Sequence, residues 1–310
     1  MPKRKVKQIY RTPEKIRFKP EDVSPDNGYI LDKTYIPEEI LVLILSYLDC
    51  KSLRKLRFVC RKWCEVIRDQ VWKIKAERQF ANRFKNIKKH KKWPSEVYQA
   101  ICWKDPYGRN LLRNHSGQQN LKNWKIHLNG GHGWKVEKPP VGVAGAENCE
   151  FNPKSCFVTS FQQCGKEQKI DLYSEGIYPD VLDNYQPHII ISEWYSARWD
   201  CGSRYELTVS LLDYDNREVK KFKFEARMTN WAEGWKEAKH IFQNYGPGVQ
   251  YVLFSHVGCD SQFWAGHYGS KMANASVIVD LQSMEDPYDK TPEERAEMDD
   301  FFPSVIDEPQ

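Results

Sequence analysis

Apolar residues recur at helical spacing between Ile36 and Trp72 and at strand spacing in short runs after Gly108, so the chain changes period part-way along. In the first region Ile36, Ile40, Ile44 and Leu48 line one face at four-residue intervals. Pro37 suits the first turn of a helix, and Glu38 and Glu39 follow where negative charge favours the helix N-terminus. Asp49 is the expected N-cap of a short second helix carrying Leu53 and Leu56, and Val59, Trp63, Val66 and Ile67 mark a third. Side chains at 36, 40, 44 and 63 cannot all enter the core of so small a unit, so some form an outward strip. A module of about 40 residues rarely buries enough surface to be stable alone, and surplus apolar side chains on it point to a partner.

Residues 73–93 continue in a helical and very basic vein until Pro94, and 94–108 reads as a linker closing on Asp105-Pro106-Tyr107-Gly108. Beyond it, alternating or β-branched runs are exemplified by residues 122–128, 155–161, 188–192, 205–212, 218–224, 250–254 and 275–279. Turn clusters separate them, among them Asn129-Gly130-Gly131-His132-Gly133, Cys201-Gly202-Ser203, Asp213-Tyr214-Asp215-Asn216 and Gly246-Pro247-Gly248. Such punctuation predicts one antiparallel sandwich of about eight to ten strands. The expected class is α+β multidomain: a basic disordered arm over 1–33, a small three-helix module over 34–80, a helical linker over 81–108, the sandwich over 109–280 and an acidic tail over 281–310, with a short helix capped at Thr291-Pro292.

Composition adds constraints. No apolar run reaches the roughly 18 residues of a membrane span, and Met1 to Lys7 has no apolar stretch behind it, so neither membrane insertion nor secretion is expected. Nine cysteines without a Cys-x-x-Cys pair suggest reduced thiols in cytosol or nucleus. The net charge of +5 hides a basic start and an acidic end. Pro2 to Lys7, with Lys3-Arg4-Lys5, is similar to a short nuclear-import signal or is simply a solvated end. Eleven Trp and 16 Tyr imply a β-rich core or an aromatic binding surface.

Catalytic and metal chemistry finds little support. No His-x-x-x-His or Cys/His cluster has ligand spacing, and no cofactor is implied. Cys60 and Cys64 share a helix and read as packing, the Gly-rich 129–133 as a turn, and His256 and Asp260 as loop hydrogen-bond formers. The acceptor patterns Asn114-His115-Ser116 and Asn274-Ala275-Ser276 would stay unmodified in a cytosolic protein. The basic residues 73–92, with Phe80, Phe84 and Trp93 among or beside them, suit an acidic protein partner better than nucleic acid.

Ile36-Pro37-Glu38-Glu39-Ile40, Ile44-Leu45-Ser46-Tyr47-Leu48, Cys60-Arg61-Lys62-Trp63 and Trp72 together resemble the F-box, with Ile36 where the family usually has Leu. That resemblance implies docking on the adaptor subunit of an SCF-type ubiquitin ligase, and through it on cullin, with Ile36, Pro37, Ile40, Leu41, Ile44, Val59 and Trp63 as contact residues. Arg109 to Asn114, Asn129 to Glu137, Thr159-Ser160-Phe161, Ile170-Asp171-Leu172, Asp200 to Ser203, Tyr245 to Val249 and Phe263-Trp264-Ala265-Gly266, in that order, resemble the F-box-associated (FBA) domain of sugar-recognising F-box proteins. The family implies a jelly-roll or galectin-like sandwich, no catalysis, and binding of the chitobiose core of high-mannose N-glycans on misfolded glycoproteins returned from the endoplasmic reticulum to the cytoplasm. Carried over by motif, its glycan-binding positions are Phe161, Asp200, Phe263, Trp264 and Ala265; Phe263 stands for Tyr, Ala265 for Lys and, nearby, His267 for Trp. An F-box receptor that reads a protein degron instead of glycan is the alternative, and a glycan hydrolase would need a second carboxylate beside Asp200.

Overall fold

The computed structural model describes residues 28–31, 34–81, 93–143, 151–229 and 234–284. The import-like Lys3-Arg4-Lys5, most of the basic arm, the basic residues 82–92, the Thr291-Pro292 cap and the acidic tail from 285 lie outside the described residues. Two compact units divide the chain, one helical and including residues 93–106 and 173–178, the other built of residues 107–172 and 179–284 among those described.

The helical unit opens with a tiny hairpin, β1 (Ile30–Leu31) and β2 (Thr34–Tyr35), followed by α1 (Glu38–Tyr47), α2 (Cys50–Leu56), α3 (Arg61–Val66) and α4 (Trp72–Gln79). A π-turn, Ile67–Val71, joins α3 to α4 into one continuous rod. Pro37 takes the N-cap of α1, one place before the first helical turn. Asp49 caps α2, its Oδ1 accepting from Lys51 N at 2.8 Å and Ser52 N at 3.0 Å. Cys60 caps α3 through Sγ, which accepts from Trp63 N at 3.5 Å. At the far end of α1, Lys75 Nζ donates to Leu48 O at 2.7 Å and Arg78 Nη2 to Ser46 O at 2.5 Å, placing cations against the negative end of the helix dipole. The stretch expected as linker contains α5 (Ser95–Trp103), an amphipathic helix that buries Val97, Tyr98, Ala100 and Ile101. Its aromatic and thiol-bearing residues hide an ordinary i, i+3, i+4 core face.

The second unit is the expected sandwich, with two five-stranded antiparallel sheets. Its strands are β3 (Lys125–Asn129), β4 (Lys135–Glu137), β5 (Cys156–Val158), β6 (Cys164–Asp171), β7 (Ile189–Ser196), β8 (Ser203–Leu212), β9 (Glu218–Met228), β10 (Lys236–Phe242), β11 (Tyr251–Asp260) and β12 (Lys271–Val279). One sheet runs β10-β7-β12-β5-β4 and the other β3-β6-β11-β8-β9. Inward positions alternate strictly along β11, where Val252, Phe254 and His256 are buried. Two short helices, α6 (Leu172–Glu175) and α7 (Pro179–Asn184), stand between β6 and β7 in sequence.

A charged cluster lies inside this core. Glu193 on β7 faces the opposite sheet, where its Oε1 pairs with His256 Nδ1 at 2.7 Å and its Oε2 accepts from Tyr205 OH at 2.6 Å. His256 Nε2 meets Lys166 Nζ on β6, and that ammonium rests on the rings of Phe157 (3.4 Å), Trp124 (3.8 Å) and Trp134 (4.7 Å). Lys166, Glu193 and His256 are fully buried. His256 was expected to hydrogen-bond in a loop; it does hydrogen-bond, but from an inward position on β11 that makes it a core group. Burial pushes the His256 imidazole down to about 4, the nearby Lys166 cation adding to the shift and Glu193 opposing it. A neutral ring then donates from Nδ1 to Glu193 and accepts at Nε2 from Lys166, satisfying both nitrogens.

This sets a pH dependence. The unfolded chain protonates His256 near its ordinary 6.5 whereas the folded chain resists until about 4, so the stabilisation is complete above 6.5 and is lost as pH falls towards 4. Unfolding in denaturant should show roughly 3 kcal/mol of stability disappearing across that window. His256→Gln should flatten this slope; an unchanged slope would refute the assignment.

Candidate functional site

The helical unit presents an unusual α1. Leu41, Val42, Leu45 and Ser46 face inward, while Ile40, Leu43, Ile44 and Tyr47 are exposed on the other side. A helix apolar all round needs cover on both faces. Phe58 and Val59, following α2, are likewise exposed, at 50% and 58%. Of the positions expected to meet an adaptor, Pro37, Ile40, Ile44 and Val59 are exposed and Ile36 is half-buried. Leu41 and Trp63 point into the unit's own core, and Trp63 Nε1 donates to Gly28 O at 2.6 Å. They shape the strip from beneath, whereas Leu43, Tyr47 and Phe58 are surface residues that the motif reading left out.

In the sandwich, four connections meet at one end: the β3–β4 turn, the residues following β5, and the β7–β8 and β11–β12 loops. His132 N donates to Ser160 Oγ at 2.9 Å, and that hydroxyl donates to Gly266 O at 2.6 Å. Ser261 N donates to Gly202 O at 2.9 Å and Gly130 N to Gln163 O at 2.9 Å. Gly131 has φ +61, and a Cβ there would sit 2.7 Å from Ser160 Oγ and 3.0 Å from the Phe161 ring, so glycine is required for this closeness.

The aromatic tips depend on Asp260. Its carboxylate is almost fully buried, and Oδ1 accepts from Phe263 N at 2.6 Å and Gln262 N at 3.1 Å while Oδ2 accepts from Trp264 N at 3.2 Å. Phe263 is held at φ +58, a left-handed conformation that is costly for a residue with a Cβ. The outcome is display: Phe263 is 66% exposed and Trp264 42%. Phe161, half-buried in the segment after β5, packs edge-on against Phe263 with centroids 5.0 Å apart and also meets His132 at 5.4 Å. Trp264 meets Tyr268 edge-on at 5.7 Å, Arg198 lies 4.9 Å over the Tyr268 ring, and Arg198 Nε holds Asp200 Oδ1 at 2.7 Å. Phe161, Phe263, Trp264 and Asp200 therefore belong to one connected array, and Ala265 is exposed in the same loop. His132, Arg198 and Tyr268 extend it; Arg198 reaches the tips from a loop distant in sequence, and no motif signalled it. Trp199 is 45% exposed, and His267 carries a buried Nε2 without a hydrogen-bond partner among the described residues.

Chemically, such an array can pack flat C–H surfaces on ring faces and accept hydroxyl or amide N–H groups at Asp200. Asp260 is not a reacting group, since both of its oxygens are spent on backbone N–H groups. Among the described residues no group of three or more His, Cys, Asp or Glu could hold a metal ion, and no helix is long and apolar enough to cross a membrane.

The sequence matches the family model of the F-box associated region over residues 102–279 and the F-box-like model over residues 34–75. The chain belongs to the F-box proteins with an F-box associated region. It is 34% identical to F-box only protein 17 of Homo sapiens over 262 residues, covering 80% of this chain and 92% of that one. It is 36% identical to F-box only protein 6 of Mus musculus over 257 residues (81% and 85%), and 34% identical to F-box only protein 2 of Bos taurus over 269 residues (84% and 88%). Within the FBA domain, three loop amides converge on the Asp260 carboxylate, so loop order can be tested locally. Asp260→Ala should free the amides of Gln262, Phe263 and Trp264, raising their hydrogen-exchange rates by roughly tenfold or more while those of β8 and β11 centres stay protected. Unchanged exchange at these three amides would show that the carboxylate does not hold the loop.

Proposed function

We propose that this F-box protein is the non-catalytic substrate-recognition subunit of an SCF-type ubiquitin ligase and that its FBA domain binds the chitobiose core of high-mannose N-glycans on misfolded glycoproteins in the cytosol, for ubiquitination and degradation. The observation that carries the reading is the pairing of exposed Phe263 and Trp264 with Phe161 and Asp200 at one end of the sandwich. Pyranose rings offer apolar C–H patches that stack on the indole and phenyl faces, and the N-acetyl methyl needs apolar contact of the kind Phe161 and Phe263 supply together. Asp200 accepts from sugar hydroxyls or from the acetamide N–H. Catalysis by the site is not part of the reading, because its second carboxylate, Asp260, is committed to the loop; the contribution to ubiquitin transfer is proximity.

The helical strip supplies the other partner. If docking on the adaptor covers about 600 Å² of apolar surface, at roughly 25 cal/mol per Å² the gross gain is about 15 kcal/mol before association costs. Pro37→Ala combined with Ile40→Asp should abolish co-purification with the adaptor by placing a charge in the strip, without altering the fold of the FBA domain. Retained co-purification would show that docking does not use this face.

For the sugar site, chitobiose titration followed by calorimetry should give a dissociation constant in the micromolar range for the unaltered chain, about −8 kcal/mol. Trp264→Ala should weaken it by roughly 70-fold, the equivalent of removing ~100 Å² of ring contact. Equal binding by both proteins would refute the site. No binding by either, together with capture of an unglycosylated substrate, would favour a protein degron as the ligand.

A further inference from the structure

Across the end of one sheet, Asp260, Ser203 and Met228 form a single rung of β11, β8 and β9, and Asp260 is the residue that holds the aromatic loop. One rung further in, Arg204 on β8 stands directly opposite Arg227 on β9. Both side chains are exposed on the outer face of the sheet. Like charges directly opposite on one face of an antiparallel pair repel and destabilise the pairing. The next rung down on that face carries Glu206 opposite Glu225, which could have neutralised them. Those carboxylates are instead gathered by Lys223, at 3.5 Å from Glu206 and 2.6 Å from Glu225. No acidic side chain lies within ion-pair distance of either arginine among the described residues; Glu225, whose carboxyl is held low chiefly by Lys223, feels Arg227 only at longer range. Arg204 and Arg227 line an open groove of about 470 Å³ with Ser203, Met228, Thr229 and Ser261. Ser261 opens the loop that presents Phe263 and Trp264, so the groove and the aromatic tips adjoin.

We propose that Arg204 and Arg227 form an anion clamp that receives an acidic side chain of the polypeptide flanking the glycosylated asparagine, so that the site reads a sugar and its protein context together. Resting on the glycan reading of the tips, this adds a preference among glycoproteins. Guanidinium groups on adjacent strands can each offer paired N–H donors to a carboxylate, and the repulsion between them falls when one arrives. The Glu206–Glu225 rung limits the acidic contact to the end of the sheet nearest the tips, because an anion placed deeper meets like charge.

The test uses the full chain and synthetic glycopeptides carrying one chitobiose on asparagine, with aspartates or lysines as neighbours. At about 20 mM salt the aspartate-flanked peptide should bind roughly tenfold more tightly than the lysine-flanked one, and the difference should shrink at about 300 mM salt. The double variant Arg204→Gln, Arg227→Gln should erase the difference while binding free chitobiose as before. Equal affinity for the two glycopeptides, or a preference that survives the double variant, overturns the clamp. A second arm separates this from failure of the sugar reading: an unglycosylated aspartate-rich peptide at low salt should slow hydrogen exchange at residues 227–229 and 261. That protection, lost in the double variant, supports the clamp even if chitobiose does not bind; its absence from the unaltered chain overturns it.

Discussion

The end of the FBA domain that carries the aromatic tips depends on two sheets being held in one fixed relation, and the buried Glu193 carboxylate spans them. It reaches from β7 to His256 and Tyr205 on the opposing sheet, while Lys166 extends the chain of contacts onto the Phe157 ring of the first. Such a cluster is a poor source of net stability, because desolvating each ion costs several kcal/mol before pairing returns any of it. Its effect is on uniqueness. A slip of β11 by one residue would turn His256 to the surface and take one partner from the buried Glu193, and a slip of β6 would turn Lys166 outward, each at a cost of about 1–3 kcal/mol. The loops following β5 and β11 come from different sheets, and Phe161 and Phe263 meet only because such slips are disfavoured.

The helical unit follows a different rule. Its core is small, and α1 is apolar on both sides, so the sequence that folds the unit also leaves Ile40, Leu43, Ile44 and Tyr47 uncovered. Two cations, Lys75 and Arg78, satisfy carbonyls at the end of α1 and keep the helix intact although one face lacks protein cover. Arg78 also lies 3.9 Å over the Tyr47 ring, holding an exposed aromatic in place at the edge of the strip. A helix held at its end in this way presents Ile40, Leu43, Ile44 and Tyr47 from a backbone that is already ordered.

Reading the chain residue by residue succeeded where side chains followed the simple alternation. β8, β11 and β12 bury apolar residues on one face, and the runs at 205–212, 250–254 and 275–279 reveal them. β6 and β10 did not stand out among the exemplified runs for a physical reason. β6 places Lys166 and Gln168 inward, and β10 reads Lys-Glu-Ala-Lys-His-Ile-Phe, so charge masks the period. The same buried charge made His256 look like a loop residue. Asp49 as a cap was legible because capping is local in sequence. Resemblance supplied Phe161 and Asp200, but the links through Arg198 and Tyr268 join loops about 60 residues or more apart and follow only from strand register. Conversely, Leu41 and Trp63 matched the docking motif and yet face inward, because a motif mixes contact residues with those that support them.

The tips themselves show how strain and charge are balanced. Phe263 adopts a left-handed backbone that disfavours any residue with a Cβ, at a cost on the order of 1 kcal/mol. Three backbone N–H groups converging on Asp260 oppose that cost, and hydrogen bonds to an ionised acceptor are each worth about 1.5–3 kcal/mol. The balance favours the turned-out loop before any ligand arrives, so ring display is pre-organised and not induced. Asp260 also sits on the rung shared with Ser203, one residue from the Arg204–Arg227 pair, so strand register sets the backbone spacing between the aromatic loop and those arginines. One buried acid at the end of β11 holds the exposed aromatic pair through three backbone amides.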